Sequence, residues 1–349
     1  MMPAPMSTGK SRRARGFSFM ALGLALAACG TRAPEWSTLE GKAQGTTFRI
    51  TYLDSMGRDL TMPVDSLFRV IDRSLSLWDS TSTVTSFNAA PDSFATDDRH
   101  FQVVLALARQ QWNATAGAFD PTVLPLVSAW GLGKEGRAAL DTIAVDSLMR
   151  CVGMPRIYIP DSWERANAMA PLTFRKTVPC VQFDPNGIAQ GYTVDMMALL
   201  LRQRGIEHYL VEVGGEVRAS GSNARNEAWT IQIDKPVEGD AHVRQAVVPL
   251  RERSLATSGN YRKFIEVNGK RYGHTIDPRT GRPAMSDLLS ASVIADDCAT
   301  ADALGTALMV MGTDGAKQWL STHPEVQGYL ISDDGKGGYA LWMTEGWPE

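Results

Sequence analysis

Histidine and cysteine are scarce in this chain, at five and four of 349 residues. No cysteine spacing suits a tetrahedral zinc site, which argues against a structural zinc module. A basic excess is also missing: 35 Lys and Arg face 38 Asp and Glu, for a formal charge of −3. Nothing therefore neutralises a phosphate backbone over an extended surface, and nucleic-acid binding loses its usual footing. There is no set of long apolar runs, so a multi-span membrane protein is excluded. The glycine spacings of the Walker and Rossmann loops are absent, as are internal repeats and low-complexity tracts. What remains is ordinary globular material, 44% apolar and 21% charged. That composition and length suit one large domain or two small ones.

The N-terminus reads as an address. Lys10, Arg12, Arg13 and Arg15 precede an apolar run from Phe17 to Ala28, too short to span a bilayer stably. The run ends in Leu26-Ala27-Ala28-Cys29-Gly30, which resembles a bacterial lipobox. The expectation is a lipoprotein signal peptide over 1–28, with Cys29 as the lipidated first residue of the mature protein. A tether over 29–40 and a single domain over 41–349 follow. The protein is then expected in the cell envelope, outside the cytoplasm, held by acyl chains on the periplasmic face of the inner or outer membrane. Cys151, Cys180 and Cys298 leave room for at most one internal disulfide, with buried free thiols as the plainer reading.

Hydrophobic spacing gives the elements. Gly45 to Tyr52 alternates as a strand. Val64, Leu67, Phe68, Ile71 and Leu75 fall at helical spacing, and Phe101 to Trp112 forms a second amphipathic stretch. A Ser/Thr-rich loop is expected from Leu77 to Asn88. Residues 117–133 hold too much Pro and Gly for a long regular element. A helix is expected within 134–150, strands within 171–183, and a helix over 188–204 closed by Gly205. Strands follow at 209–213, 216–219, 228–234, 243–250 and 289–295, with hairpins at 260–276 and 326–343. Helices are expected at 299–311 and 313–321. Strands and helices mix without regular βαβ alternation, which predicts an α+β fold of mixed, largely antiparallel sheet layers covered by helices.

Four constellations carry possible chemistry. Asp302 and Thr306 lie one turn apart on an otherwise apolar helix. A buried acid there needs a partner or a cation, and a carboxylate with a hydroxyl suits Mg²⁺. Alternatively, Asp302 caps a helix or pairs with an arginine, and Thr306 bonds back to its own helix. The stretch Asp184 to Asp195, DPNGIAQGYTVD, joins a glycine-bearing turn to a helix start, a place for a phosphate or a cation, or a plain joint. In GHTIDPRTGRP, His274 has the polar company of a general base, beside Asp277, which can also simply cap its own turn. Trp78 and Phe119 sit in loops beside Asp79 and Asp120, where a flat ligand could stack or where aromatics plug the core edge.

Their order along the chain is more specific than any one of them. GAFDPTVLPLVSAWGLG, DPNGIAQGYTVD, VEVGGEVRASG, ATSGNYRKF, HTIDPRTGRP and ADALGT together resemble the ApbE family of flavin transferases, over roughly residues 40–343. The resemblance implies an enzyme that binds FAD and, with Mg²⁺, cleaves its pyrophosphate. The FMN half moves to a Thr or Ser hydroxyl of an extracytoplasmic redox protein, such as a redox-pump or reductase subunit, and AMP leaves. Some members hydrolyse FAD to FMN and AMP instead, and a non-catalytic flavin-binding lipoprotein is a further alternative. Carried over to this chain, Gly187, Asp302 and Thr306 match the metal ligands. Trp78, Ala118, Phe119, Asp120, Asp184, Gln190 and Ile276 match FAD contacts. His274, with neighbouring Asp277, matches the phosphoryl-transfer position. Many members carry Lys where this chain has Gln190.

Overall fold

The computed structural model describes residues 34–132, 142–160, 171–237, 243–260, 264–267, 270–273 and 275–348. Cys29 and His274, the signal segment 1–28 and the hairpin tip 268–269 lie outside the described residues. In chain order the elements begin with β1 (Glu35–Ala43), β2 (Thr46–Asp54), α1 (Thr61–Leu75), α2 (Thr83–Ala89), β3 (Ser93–Thr96), α3 (Arg99–Ala114), α4 (Leu124–Ala129) and α5 (Thr142–Met149). Next come β4 (Ile157–Tyr158), β5 (Leu172–Lys176), α6 (Ala189–Arg202), β6 (Tyr209–Val213), β7 (Glu216–Ser220), β8 (Trp229–Asp234), β9 (Arg244–Leu250) and β10 (Ser254–Gly259). The chain closes with β11 (Phe264–Val267), β12 (Lys270–Gly273), β13 (Ile276–Asp277), β14 (Arg282–Pro283), β15 (Leu288–Ala295), α7 (Cys298–Ser321), β16 (Gln327–Asp333) and β17 (Tyr339–Met343).

An eight-stranded sheet in the order β1-β2-β6-β7-β10-β15-β16-β17 organises the molecule, and every neighbouring pair in it is antiparallel. The fold is α+β, as the patterning predicts. Side chains alternate across each strand, so the sheet buries both faces. Ile50, Val211 and Val213 meet Val64 and Phe68 of α1 and Val194 and Met197 of α6. Val293 and Leu330 meet Leu304 and Leu308 of α7. On the opposite face Val217, Leu255 and Ile331 pack under Trp229 and Val248 of the β8–β9 hairpin. A further cluster joins α1, α2 and α3 to β5 and to the outer side of α7.

Four expectations are corrected. The stretch read as a tether up to residue 40 enters the fold at Glu35, where β1 pairs with β2 from Glu35↔Asp54 to Ala43↔Thr46. The loop expected to Asn88 contains α2, capped by Ser82 accepting from the Thr85 N–H and anchored by buried Val84 and Phe87. Residues 171–183 hold one strand, β5, because Pro179 and the Cys180 link interrupt the rest. The strand β10 was not anticipated, since Ser254, Ala256 and Ser258 carry little β signal. The break expected near residue 312 is real: Gly312, at φ 74°, interrupts α7, a conformation that suits glycine.

Of the cysteines left open by the sequence, Cys151 and Cys180 form a disulfide, and Cys298 is a buried free thiol. No described helix is long and apolar enough to cross a membrane.

Candidate functional site

The centre of the site is the seam between α6 and α7. Asp297 caps α7 by accepting the Thr300 N–H at 2.8 Å. Asp195 of α6 accepts the N–H groups of Cys298 and Ala299, both at 2.9 Å. Carboxylates are favourable where helical N–H groups are unpaired. Arg218 of β7 holds Asp195 in a 2.8 Å ion pair. One turn into α7, the carboxylate of Asp302 reaches back to α6 and accepts the Gly191 N–H at 3.0 Å. The two helices thus clasp each other in both directions. Gly191 is required there, because a Cβ at that position would lie 2.3 Å from the Cys298 carbonyl oxygen.

Asp302 is buried, and burial pushes its carboxyl up to about 7. Among the described residues no arginine or lysine pairs with it, and its partner is the Gly191 N–H in the first turn of α6, the capping role the sequence left open. Glu216, the first residue of β7, is also buried, and its Oε2 has no hydrogen-bond partner among the described residues. Burial, then the charge of Asp302, holds Glu216 well above the usual carboxylate range. The hydroxyl of Thr306 makes no described bond back to its helix. Gly187 approaches it: a Cβ there would sit 3.3 Å from Thr306 Oγ1 and 3.2 Å from the Phe119 ring. Asp302 and Thr306 stand one turn apart as their spacing predicts, and Gly187, which the resemblance adds to them, lies against Thr306. Two buried acids without a described cationic partner, a hydroxyl and a main-chain segment form an all-oxygen set that fits a hard divalent cation. No group of three or more His, Cys, Asp or Glu side chains stands together among the described residues, so the acidic part of this set is a pair.

The other candidate residues fall into two groups. Gln190 and Asp184 border the corner. Gln190 Nε2 donates to the Val213 carbonyl at 3.0 Å and packs over Gly214, tying the start of α6 to the β6–β7 turn. Asp184 accepts the Asn186 N–H at 2.9 Å, and burial pushes it up to about 6. Trp78 is exposed, at 65%, and offers an indole face at the rim of the α1–α2 bend.

The second group is built into the scaffold, with the Phe119 ring also bordering Gly187. Ala118 and Phe119 are buried in the helical core. The Asp120 carboxylate accepts from Trp112 Nε1, the Thr122 N–H and hydroxyl, and the Met154 N–H, so it holds its own turn closed. Ile276 is buried against Leu126, Trp130 and Val145. Asp277 accepts from the Arg279 N–H, Nε and Nη2, each at 2.9 Å. The Asp277 carboxylate thus caps its own turn, the alternative the sequence left open. His274 lies outside the described residues.

Sequence reasoning missed Glu216, Gly191 and the Asp195–Arg218 pair. The signals were present. Glu216 and Arg218 alternate with Val217 and Ala219, which places two charges on one face of a buried strand. Gly191 follows Gly187 at helical spacing.

Known proteins resemble this chain. A model of the ApbE family matches residues 44–330. The FAD:protein FMN transferase of Haemophilus influenzae is 35% identical over 313 residues, covering 86% of this chain and 88% of that protein. The FAD:protein FMN transferase of Vibrio cholerae is 35% identical over 301 residues, covering 83% and 86%. Among solved structures, the flavin transferase ApbE from Vibrio cholerae superposes with a TM-score of 0.77 at 30% identity, covering 89% of this chain and 98% of that one. The apo Pseudomonas stutzeri flavinyl transferase ApbE gives 0.79 at 28% identity, covering 89% and 95%. Sequence and shape agree over nearly the whole described molecule, and the chain belongs to the ApbE family.

Proposed function

We propose that this protein is an FAD:protein FMN transferase that moves the FMN half of FAD onto a Thr or Ser hydroxyl of an extracytoplasmic flavoprotein and releases AMP. As a member of this family the chain is a transferase, and FAD is the substrate named for its relatives. The observation that carries the reading is the buried acid pair, Asp302 and Glu216, beside Thr306 and Gly187. Two acids with no described counter-charge are costly in a folded protein, and the pyrophosphate of FAD repels them. A divalent cation, Mg²⁺ in this reading, answers both problems.

Asp302, Thr306 and the Gly187 main chain would hold that ion. When bound, it supplies neutralisation of the phosphate oxygens and polarisation of the phosphorus. The protein's own residues do the rest. The α6–α7 clasp fixes Asp302 against the N-terminus of α6, so the phosphate-facing corner is preorganised. Trp78 provides a face for the isoalloxazine, and Gln190 and Asp184 border the ligand. In the transfer, the acceptor hydroxyl oxygen forms a bond to the phosphorus of the FMN half. The bond from that phosphorus to the bridging oxygen breaks, and AMP departs with the electron pair. His274 takes the hydroxyl proton in this reading.

The acceptor is expected to be a redox-pump or reductase subunit. Anchoring through Cys29 on the periplasmic face of the inner or outer membrane accords with the disulfide Cys151–Cys180, a bond that persists in oxidising compartments. The test mixes the protein with FAD, Mg²⁺ and a flavin-acceptor domain. A covalently fluorescent acceptor, heavier by one FMN, is expected together with AMP. AMP and free FMN with an unmodified acceptor would make the protein a pyrophosphatase. Intact FAD after long incubation would leave a flavin-binding lipoprotein.

A further inference from the structure

Glu216 has no role in the reading above beyond its charge, yet its placement is specific. In the β6–β7 ladder it stands opposite Val213, and Arg218 stands opposite Val211. Paired residues point to the same side of a sheet. Val211 and Val213 pack into the α1–α6 core, so Glu216 and Arg218 face the helices, while Val217 and Ala219 face the β8–β9 hairpin. Arg218 finds its acid there in Asp195. Among the described residues Glu216 finds no base.

The α7 helix presses on this strand. Cys298 Sγ contacts the Val217 carbonyl at 3.6 Å, which brings the first turn of α7 onto the residue next to Glu216. Asp302 lies one turn further along. Glu216 is 9% exposed and its Oε2 is unpartnered among the described residues. A carboxylate oxygen without a donor in a buried place carries a desolvation cost that a hydrogen bond or a cation would offset. The other buried acids of this seam have their donors: the Gly191 N–H for Asp302, and the Cys298 and Ala299 N–H groups with Arg218 for Asp195.

We propose that Glu216 is the second acidic arm of the cation site, supplying carboxylate charge to the divalent ion that Asp302 holds from the opposite side of the α7–β7 seam. The inference rests on the divalent-cation reading of that corner. It explains why an acid stands on the helix-facing side of a buried strand with no arginine to meet it among the described residues. It also gives the Gly214–Gly215 turn a purpose. The turn has φ of 65° and 108°, and Gly214 lies under Gln190 with no space for a side chain. Glu216 is thereby delivered directly beside the start of α6.

The test uses the full chain without flavin and Mn²⁺ as the probe, with free Mn²⁺ followed by electron paramagnetic resonance and Mg²⁺ as competitor. Wild type is expected to bind Mn²⁺ saturably and to release it to Mg²⁺. Glu216→Gln keeps the shape and removes the charge, and is expected to weaken Mn²⁺ binding about tenfold or more. The metal-free Gln variant is expected to melt no lower than wild type, since an unpaired buried charge has been removed, and to gain less from added Mg²⁺. Glu216→Leu, an apolar side chain of similar volume, repeats the measurement should the Gln variant fail to fold. Mn²⁺ affinity within twofold of wild type in a folded Glu216 variant overturns the role of Glu216 alone. Absence of saturable Mn²⁺ binding in wild type overturns the cation reading itself.

Discussion

The Asp302 carboxylate accepts the backbone N–H of Gly191 across the α6–α7 seam at 3.0 Å, and the seam is this tight because residue 191 has no side chain. A Cβ there would meet the carbonyl oxygen and carbon of Cys298 at 2.3 and 2.6 Å and Ala299 Cα at 2.9 Å. All three are backbone atoms, which cannot swing aside. Gly191→Ala is therefore expected to force the helices apart, at a cost of about 1–3 kcal/mol, and to remove turnover by displacing Asp302. Gly205→Ala is the control: its φ is 72° but its surroundings are open, so it should cost stability through backbone strain and leave turnover intact. Urea midpoints and AMP release measure both. A Gly191→Ala variant matching wild type in both would show that the close approach is not needed.

Asp302→Ala is expected to lower Mg²⁺-dependent AMP release by ~10²-fold or more, on the scale of removing one preorganised electrostatic group. Thr306→Val, which keeps the shape and removes the hydroxyl, should lose less. His274→Ala should retain FAD binding while turnover falls by ~10²–10⁴-fold, the usual contribution of a general base. Chromatographic assay of AMP, with flavin fluorescence for binding, separates the three. Wild-type AMP yield from Asp302→Ala would remove the metal assignment.

Two carboxyls predict opposite pH responses. The Arg58 hydrogen bonds, at 2.7 and 3.0 Å, hold Asp54 down at about 2. Its contribution is present above the unfolded value near 4 and is lost as pH falls through 2. Burial raises Asp184 to about 6. Between about 4 and 6 the unfolded chain has released this proton and the native protein has not, so stability falls as pH rises across that window. Thermal melts from pH 3 to 8 should show Asp54→Asn converging on wild type at the acid end. Asp184→Asn should lose the decline between 4 and 6. Parallel curves for either variant would contradict the corresponding shift.

The disulfide Cys151–Cys180 closes a loop with a sequence separation of 29. Loop-closure entropy alone makes that worth roughly 2–4 kcal/mol. The bond also pins the residues that lead into Asp184. Reduction, or Cys151→Ser with Cys180→Ser, is expected to lower unfolding stability by about that amount. Denaturant titration with and without reductant checks it, and unchanged midpoints would show that the pairing adds nothing.

The legibility of this molecule follows side-chain volume. The helix α1 announces itself through Val64, Phe68, Ile71 and Leu75, all buried, and β2 through alternating Phe48, Ile50 and Tyr52. Asp302 and Thr306 stood out as an acid and a hydroxyl one turn apart on an apolar helix, whereas Gly187 joined them only through the family resemblance. What escaped was made of small or polar residues acting through tertiary partners. The strand β10 is Ser, Ala, Thr and Gly around a single Leu255, between two neighbours that complete its ladder. The helix α2 depends on a Ser82 cap and two apolar anchors within a Ser/Thr-rich stretch. Glu216 reads only as the start of a strand, and the strand register shows that it faces the helices. Asp277 caps its own turn, as one of its two readings allowed, and Asp120 closes its loop through hydrogen bonds that the sequence did not show.

The edge strand β1 begins at Glu35, six positions after Cys29. On the proposed acylation at Cys29, so few residues give a leash of at most roughly 20 Å when fully stretched. The catalytic body would then ride close to the lipid headgroups, unable to search the depth of the periplasm. Its clients would be those that bring their hydroxyl down to the bilayer, which selects membrane-embedded partners by altitude before any surface recognition begins.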